Sequence, residues 1–310
     1  MTHPKVKKAV FLVAGFGTRF LPISKAVPKH MLPIIDKPIL QYLVEEAVEA
    51  GIEDIIFVTG RGKNSIEDHF DTSYELEQTL IGKGKTKILE DIEKISKMAN
   101  FAYTRQPDPK GDGHALLCAL PYINDNEPIL VVFPDYMMPN ENQTFSRMID
   151  YYNQTGNPII ATDQIPFEKT DQFGVIAYQR TLVDNVVKIT QFVEKPKSNP
   201  PSNMINLGHA ILTPKILREI ANSESTVSDG EIRIADTYTK MLGENSLDLY
   251  ALTPISNGID CGNAIGLLKA NIREGLKRED IKTELWEFLK EELQKEEMRA
   301  ELIKLIKESE

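Results

Sequence analysis

The predicted fold rests mainly on one segment, Lys8–Pro33, with the sequence KAVFLVAGFGTRFLPISKAVPKHMLP. Ala9–Val13 is a continuous apolar run, which is typical of a buried strand. The run ends in a loop with two glycines one residue apart, Gly15 and Gly17, and such a loop turns sharply and approaches a ligand closely. Because the amides of a glycine loop can hold an oxyanion, we expect a strand followed by an anion-binding loop.

Three cations follow the glycine loop within a short distance. Arg19 carries a planar guanidinium with five donors, a geometry that suits phosphate oxygens. Lys25 and Lys29 come within the next ten residues. A strand, a glycine loop and three cations together favour a polyphosphate ligand.

Two other interpretations of the loop stay open. The dinucleotide fingerprint G-x-G-x-x-G needs a third glycine where this chain has Phe20, and a helix where it has Pro22. Asp36 does lie about twenty residues on, as that fingerprint requires. The alternative without a ligand is a glycine-rich surface turn whose lysines are solvated.

Length, charge and cysteine content narrow the class of protein. The chain has 310 residues, a net charge of −10 and two cysteines, so one large or two small domains fit it. The acidic balance argues against a nucleic-acid surface, which needs a basic stripe. Cys118 and Cys261 form no disulfide framework or zinc motif and indicate a reducing compartment. No apolar run approaches 18 residues, so we expect no membrane span.

The first residues also resemble a short signal peptide, because lysines precede the apolar run Ala9–Gly15. That run is at the short limit for a signal peptide, and the polar pair Thr18-Arg19 follows it. We therefore interpret it as the first strand of the fold.

Strands and helices then alternate. Asp36-Lys37-Pro38 opens a predicted helix with Pro38 in its first turn, an apolar stripe follows to Val48, and Ile55–Thr59 is the second strand. Strand, helix and strand in this order imply parallel strands with a right-handed crossover. Gly60–Lys63 is a second glycine and cation loop, and a ligand loop and a simple turn fit it equally. Further elements are predicted as helices over 64–98 (interrupted at 82–84), 114–120 and 143–154, and as strands over 101–105, 129–133 and 158–163.

Two loops at strand ends carry candidate ligand groups. Gln106 opens a long turn that ends at Gly113, and a carboxamide presents the donor and acceptor that a base edge needs. Asp135 follows the most apolar strand, where open α/β sheets place their ligands. A single carboxylate with substrate phosphates and waters is a common Mg²⁺ site, although Asp is also a frequent turn residue.

The segments become shorter after Ile165, which predicts a smaller lobe built onto the same sheet. Predicted strands cover 173–176, 183–189, 192–196, 204–212 and 247–252. Ser228–Glu231 should cap a helix that continues to Leu242. Asn263–Lys277 should be helical, and residues from Leu285 onward form a charged amphipathic helix.

The quoted stretch contains A-G-x-G-T-R-[LF]-x-P followed by P-K-x-M-L-P, and it resembles the signature of the sugar-nucleotidyltransferases. The resemblance extends through most of the chain in order. Further matching segments are 55–60, 66–71, Gln106, 113–115, Asp135, 193–196 and 260–262.

The resemblance implies an α/β fold, with a Rossmann-like, mixed but mainly parallel sheet flanked by helices. We expect a catalytic domain over residues 1–280, with a nucleotide half of about 1–164 and a sugar-side half of about 165–280. Residues 281–310 should form a C-terminal amphipathic helix that could contact a second subunit.

The resemblance also implies a reaction. UMP would pass from UTP to glucose 1-phosphate, giving UDP-glucose and pyrophosphate, with Mg²⁺ as cofactor. We expect no nucleic-acid or membrane partner, a cytoplasmic location, and a homodimer or homotetramer. No covalent enzyme intermediate is expected, because two polyanions need mainly charge neutralisation and positioning.

Site residues follow from the resemblance by motif position. Arg19, Lys29 and Lys195 would be the catalytic cations. The nucleotide would meet Ala14, Gly15, Gly17, Thr18, Gln106 and Gly113, the sugar phosphate Gly174, Glu194 and Lys195, and Mg²⁺ Asp135 and Asp260. From its residues alone, the pair Glu194-Lys195 is better explained as an exposed ion pair at a strand end.

Five residues at four places depart from the family pattern. His30 stands where relatives usually carry Glu, and Asp112 stands where they carry Leu or Phe. Gly208-His209-Ala210 replaces a G-R-Y triplet on the sugar side. Tyr136 replaces a second Asp that many relatives have. These changes bear on nucleotide contacts and sugar selectivity.

Two alternative functions stay open. One is the same chemistry with dTTP or with another sugar phosphate. The other is a nucleotide-sugar-binding regulatory protein without catalysis, which only His30 and Asp112 support. A protein that only binds the nucleotide sugar would not need all of the charged residues Arg19, Lys29, Asp135 and Lys195, which the catalytic interpretation uses.

Overall fold

The computed structural model describes residues 3–223 and 230–295. Its strands are β1 (Lys8–Leu12), β2 (Pro33–Ile34), β3 (Lys37–Pro38), β4 (Asp54–Thr59), β5 (Asn100–Arg105), β6 (Ile129–Val132), β7 (Tyr136–Met137), β8 (Ile159–Gln164), β9 (Gly174–Arg180), β10 (Val186–Glu194), β11 (Met204–Leu212), β12 (Tyr250–Leu252) and β13 (Ile259–Asp260). Its helices are α1 (Ile39–Glu49), α2 (Asn64–Phe70), α3 (Tyr74–Gly82), α4 (Thr86–Lys97), α5 (Asp112–Ala119), α6 (Thr144–Thr155), α7 (Pro214–Asn222), α8 (Ile234–Gly243), α9 (Ala264–Gly275) and α10 (Lys282–Gln294).

A nine-stranded sheet in the order β5-β4-β1-β6-β11-β8-β12-β10-β9 organises the molecule. β10 and β11 run against the other strands of this sheet, so most of its strands point the same way. Two short sheets, β7 with β13 and β2 with β3, lie outside it. The prediction of a mixed, mainly parallel sheet is confirmed.

Helices cover both faces of the sheet, because successive side chains of a strand point to opposite faces. Ala9 and Phe11 of β1 pack on one face, in a core that includes residues of α1, α2 and α6. Val10 and Leu12 pack on the other face, with residues of α5, α7 and α8. β1 is buried on both sides, which explains its continuous apolar run.

Most predicted elements lie within a residue or two of their observed bounds, but three details were wrong. Pro38 is not in the first turn of α1; it is the N-cap and also pairs in β3. The two strands expected over 183–189 and 192–196 are one strand, β10, with a register shift between Ile189 and Gln191. α8 begins at Ile234, with Arg233 as its N-cap, rather than directly after residue 231.

Other predictions concern residues that the structure covers only in part. The expected cap residues Ser228 and Asp229 lie outside the described residues, as do residues 296–310 of the predicted C-terminal helix. α10 accounts for Lys282–Gln294 of that helix. Within 3–223 and 230–295, none of the helices is both long and apolar enough to cross a bilayer.

Candidate active site

The glycine loop leaves β1 at the middle of the parallel part of the sheet. Gly17 has φ of 68°, a left-handed conformation that favours glycine. A Cβ on Gly17 would lie 3.1 Å from Cβ of Lys29, so the lysine side chain passes directly beside the loop. A Cβ on Gly15 would meet open space within 4 Å, which leaves room for a ligand at this point.

Lys63 supports the loop from the neighbouring strand. It follows β4, is only 5% exposed, and its Nζ donates to the carbonyl oxygen of Gly15 at 2.8 Å. Burial, followed by the charge of Lys29, lowers the pKa of Lys63. The sequence left the Gly60–Lys63 loop open between a ligand loop and a turn, and it missed this supporting contact. A lysine directly after the strand beside β1 was the available signal.

Asp135 lies at the end of β6 and is held by two side chains of the segment that follows the glycine loop. Nζ of Lys29 is 2.5 Å from Oδ2, and Nε2 of His30 is 3.3 Å from Oδ1. Burial alone would raise the pKa of Asp135, but the His30 hydrogen bond and the Lys29 charge hold it well below its usual range. Asp135 is therefore a carboxylate at every physiological pH.

His30 occupies the position where relatives usually carry Glu, and its imidazole is 2% exposed. Burial lowers its pKa, against the opposing effect of the hydrogen bond to Asp135. Its Nδ1 is buried and has no hydrogen-bond partner among the described residues. The imidazole is therefore neutral at pH 7, and its Nε2–H donates to Asp135.

Asp260, which lies more than a hundred residues later in the sequence, is brought close to Asp135 by the pairing of two short strands. β13 pairs antiparallel with β7, which sets Asp260 opposite Tyr136, and the N–H of Cys261 donates to the carbonyl oxygen of Asp135 at 2.7 Å. The carboxylate of Asp260 accepts from the N–H of Gly262 at 2.8 Å and from Nδ2 of Asn263 at 2.9 Å. Arg19 lies 3.6 Å from its Oδ2.

These two carboxylates fit a magnesium ion. Mg²⁺ is usually held by one or two carboxylates, with substrate phosphates and waters completing its shell. Asp135 and Asp260 supply hard oxygen donors, and the bonds from Gly262 and Asn263 orient Asp260 while leaving lone pairs on its oxygens. Within the described parts of the chain, no three His, Cys, Asp or Glu side chains are arranged as a metal cage. The residues present therefore suit an ion that the substrate helps to bind.

A cavity of about 260 Å³ opens beside the glycine loop and is called the base-side cavity below. Gln106 lines it, and Nε2 of Gln106 donates to the carbonyl oxygen of Gly111 at 2.9 Å and lies 3.2 Å from Nδ1 of His114. These contacts fix the carboxamide in the wall of the cavity. The predicted residues among its lining are Ala14, Gly15, Lys29, Gln106 and Asp135.

A second cavity of about 290 Å³ adjoins the first and is called the sugar-side cavity below. A Cβ on Gly174 would lie 2.5 Å from the ring of Phe192 and 2.9 Å from Oε2 of Glu194, so only glycine fits there. Glu194 and Lys195 form the ion pair that their sequence also allowed, with N and O 3.4 Å apart. The predicted residues among its lining are Arg19, Asp135, Gly174, Glu194, Lys195 and Asp260.

Three predicted residues line neither cavity. Gly17 makes room for the side chain of Lys29, and Thr18 is exposed at the start of a 3₁₀ turn. Gly113 is buried, and its N–H donates to the carbonyl oxygen of Ile232 at 2.9 Å.

The remaining departures from the family pattern sit around the same centre. Asp112 lines both cavities. Burial, against the opposing hydrogen bond from the N–H of Ile234 and helped by the charge of Glu194, raises the pKa of Asp112 to about 6. The hydroxyl of Tyr136 donates to Oδ2 of Asp163 at 2.7 Å. His209 is buried edge-on against Phe145, at 5.2 Å between ring centroids.

This chain is similar to known proteins over most of its length. Residues 8–274 match the family described as nucleotidyl transferase. The UTP--glucose-1-phosphate uridylyltransferase of Bacillus subtilis is 41% identical over 287 residues, which are 92% of this chain and 96% of that protein. UTP--glucose-1-phosphate uridylyltransferase 2 of Staphylococcus saprophyticus is also 41% identical, over 92% of this chain and 98% of its own length.

Solved structures show the same fold. A UTP-bound UGPase from Acinetobacter baumannii matches with a TM-score of 0.83 and 35% identity, over 92% of this chain and 98% of its own. A UDP-glucose pyrophosphorylase complexed with UDP-glucose matches with a TM-score of 0.77 and 36% identity, over 88% of this chain and all of its own.

Proposed function

Because this chain belongs to the nucleotidyl transferase family, we propose that it joins UTP and glucose 1-phosphate to give UDP-glucose and pyrophosphate. The observation that carries the proposal is the pair of adjoining cavities that meet at Asp135. A reaction between two phosphorylated substrates needs two sites that share one charged centre. The relatives named for this reaction are about 40% identical over most of their length.

The base-side cavity would take UTP. The carboxamide oxygen of Gln106 would accept from the N3–H of uracil, since Nε2 is held by Gly111 and His114, and the backbone at Ala14 and Gly15 would line the pocket. Gly17, Thr18 and Gly113, which line neither cavity, would support the loops that form it. Lys29 reaches this cavity from beneath Gly17 and would neutralise the triphosphate. Lys63 would keep the loop in place through its bond to Gly15.

The sugar-side cavity would take glucose 1-phosphate. Glu194 would accept hydrogen bonds from the sugar hydroxyls, and Gly174 would let the sugar approach the strand. Lys195, whose side chain is 63% exposed, would meet the phosphate of glucose 1-phosphate. Arg19 lines this cavity and would stabilise the negative charge that builds up on the leaving pyrophosphate.

The chemistry is an in-line displacement. An oxygen of the sugar phosphate forms a bond to the α-phosphorus of UTP, the bond from that phosphorus to the bridging oxygen breaks, and pyrophosphate leaves. The residues Arg19, Lys29 and Lys195 hold the two polyanions together and offset their repulsion. Asp135 and Asp260 would hold Mg²⁺, which when bound supplies charge neutralisation at the phosphate oxygens.

The organisation of the chain is part of the same proposal. Residues 1–164 would form the nucleotide half and 165–280 the sugar-side half of one catalytic domain. The enzyme would act in the cytoplasm as a homodimer or homotetramer. α10 would supply subunit contacts, because Trp286, Phe288 and Leu293 expose large apolar side chains on it.

The test is pyrophosphate release in the presence of Mg²⁺ and glucose 1-phosphate, with UTP and dTTP in parallel reactions. We expect release with UTP, little release with dTTP, and none when glucose 1-phosphate is left out. Preference for dTTP would keep the reaction type and change the nucleotide. No release with either nucleotide, from protein that still binds UDP-glucose, would overturn the enzymatic proposal.

A further inference from the structure

The loop that carries Gln106 is joined to the start of α8 by three hydrogen bonds. The N–H of Ile232 donates to the carbonyl oxygen of Lys110 at 2.8 Å, and the N–H of Gly113 donates to the carbonyl oxygen of Ile232 at 2.9 Å. The N–H of Ile234 donates to Oδ1 of Asp112 at 2.8 Å. The first two bonds use backbone only, whereas the third depends on the side chain of Asp112. We call these three bonds the clasp.

The two segments of the clasp are packed as closely as backbone allows. Gly111 has φ of 93°, and a Cβ there would lie 2.3 Å from the carbonyl oxygen of Ile232. A Cβ on Gly113 would lie 2.8 Å from Cγ2 of the same residue. A shift of one segment therefore forces a shift of the other, because packed groups have no free space to absorb it.

α8 connects the clasp to the sugar-side cavity. Tyr238 packs against the ring of Phe192 with 5.6 Å between centroids, and Oγ1 of Thr239 donates to the carbonyl oxygen of Phe192 at 3.3 Å. Phe192 lies on β10, two residues before Glu194. Three residues of α8, namely Ile234, Ala235 and Tyr238, line the sugar-side cavity themselves.

Asp112 stands where the two cavities meet. It lines both of them, and its carboxylate is near enough to Glu194 for the two charges to interact. Its Oδ1 accepts from the N–H of Ile234, so this carboxylate joins the loop to the start of α8.

We propose that Asp112 is a positioning residue, which sets the sugar-side cavity relative to the base-side cavity through its hydrogen bond with the N–H of Ile234. The inference rests on the proposed function, since it assigns uracil to one cavity and glucose to the other. UDP-glucose spans both cavities, so its binding needs their correct spacing. UMP and glucose 1-phosphate each occupy one cavity and do not need that spacing.

The experiment measures the Kd values of UDP-glucose, UMP and glucose 1-phosphate by calorimetry in the full-length protein. Asp112→Leu removes the acceptor and supplies the apolar side chain of relatives, whereas Asp112→Asn keeps an acceptor oxygen of the same shape. Asp184→Leu is the control, because Asp184 is exposed in the β9–β10 hairpin and lines neither cavity. Thermal unfolding is recorded for every variant.

We expect Asp112→Leu to weaken UDP-glucose binding by roughly 10- to 100-fold, the effect of losing a hydrogen bond to a charged group. UMP and glucose 1-phosphate should lose clearly less affinity than UDP-glucose, because Asp112 lines both cavities but only UDP-glucose depends on their spacing. Asp112→Asn should restore most of the UDP-glucose affinity, and Asp184→Leu should match the wild type.

If Asp112→Leu does not fold, Ile234→Pro removes the same bond from the donor side. Proline is favoured at the first position of a helix, and Arg233 before it already has the extended backbone that proline requires, with φ of −119° and ψ of 137°. UDP-glucose should again lose the most affinity, UMP should be unaffected, and glucose 1-phosphate, whose cavity Ile234 lines, should lose less than UDP-glucose. Equal losses for all three ligands, or no loss at all, would overturn the inference alone. Failure of the wild type to bind UDP-glucose would overturn the proposed function and this inference with it.

Discussion

Glu46 on α1 is a half-buried acid whose protonation links the packing of α1 against α6 to the pH. Its Oε1 accepts the N–H of Phe145, at 3.1 Å, in the first turn of α6. Burial raises the pKa of Glu46 from 4.5 to about 7, against the opposing hydrogen bonds from Phe145 and Thr144. The folded protein therefore binds a proton at Glu46 more tightly than the unfolded chain does.

The sign of the effect follows from this difference. Because the folded pKa is the higher one, Glu46 stabilises the fold below pH 4.5, and this contribution is lost as the pH rises through about 7. The change from 4.5 to about 7 corresponds to about 3.4 kcal/mol in all, of which about 2.5 kcal/mol falls between pH 5 and pH 8. Glu46→Gln keeps the oxygen acceptor and removes the charge, so its free energy of unfolding should lack this component.

The assay is urea unfolding of the wild type and Glu46→Gln at pH 5 and pH 8. Relative to the wild type, the variant should gain about 2.5 kcal/mol of stability between the two pH values. Glu75→Gln on α3 is the control, because Glu75 is exposed and its substitution should give the same difference at both pH values. A wild-type and a Glu46→Gln protein that differ by the same amount at pH 5 and pH 8 would refute the reasoning.

Three further predictions concern the site. Asp135→Asn should abolish pyrophosphate release while the protein still folds, with a lower thermal unfolding temperature because the ion pair with Lys29 is lost; full activity with Mg²⁺ would refute the metal assignment. Gly174→Ala should raise the KM for glucose 1-phosphate at least about tenfold, because the new Cβ lies 2.5 Å from the ring of Phe192; an unchanged KM in steady-state kinetics would contradict this. Lys63→Met should weaken UTP binding roughly tenfold in calorimetry, since the bond to Gly15 is lost; unaltered affinity would remove Lys63 from the support of the loop.

The order of elements was predictable because it depends on local patterns. The run Ala9–Val13 is apolar on both faces, and the observed β1 is buried on both faces. The interruption at residues 82–84 separates α3 from α4 as expected. Periodicity and glycine positions act over a few residues, so sequence alone carries them.

The order of strands in the sheet could not be predicted from local sequence patterns. β11 lies between β6 and β8 and runs against both, yet nothing in its own residues marks that direction. The position and direction of β11 depend on which strand edges of the sheet remain unpaired, and distant parts of the chain determine those edges. The resemblance to a known family supplied a mixed, mainly parallel sheet but not the order of its strands.

The contacts within the site show the same limit. Lys29 and Asp135 were both named from the sequence, but their ion pair joins residues 106 positions apart. The bond between Asp112 and Ile234 spans 122 positions. Sequence reasoning identified Asp112 as an unusual acid near the base pocket, but its partner lies on a helix that the chain forms much later.

The antiparallel pairing of β11 with β6 explains why two cavities adjoin Asp135. On one side of β6, the parallel strand β1 delivers the glycine loop. On the other side, the register of β11 shifts between Asn206 and Ala210. Gly208 lies in this shift with φ of 81°, and a Cβ there would lie 2.7 Å from the ring of Phe133. Glycine thus lets β11 cross over Phe133, and the residues around the shift line the sugar-side cavity. A carboxylate at the end of β6 is then reached from both sides, which is the position that a reaction between two phosphorylated substrates requires.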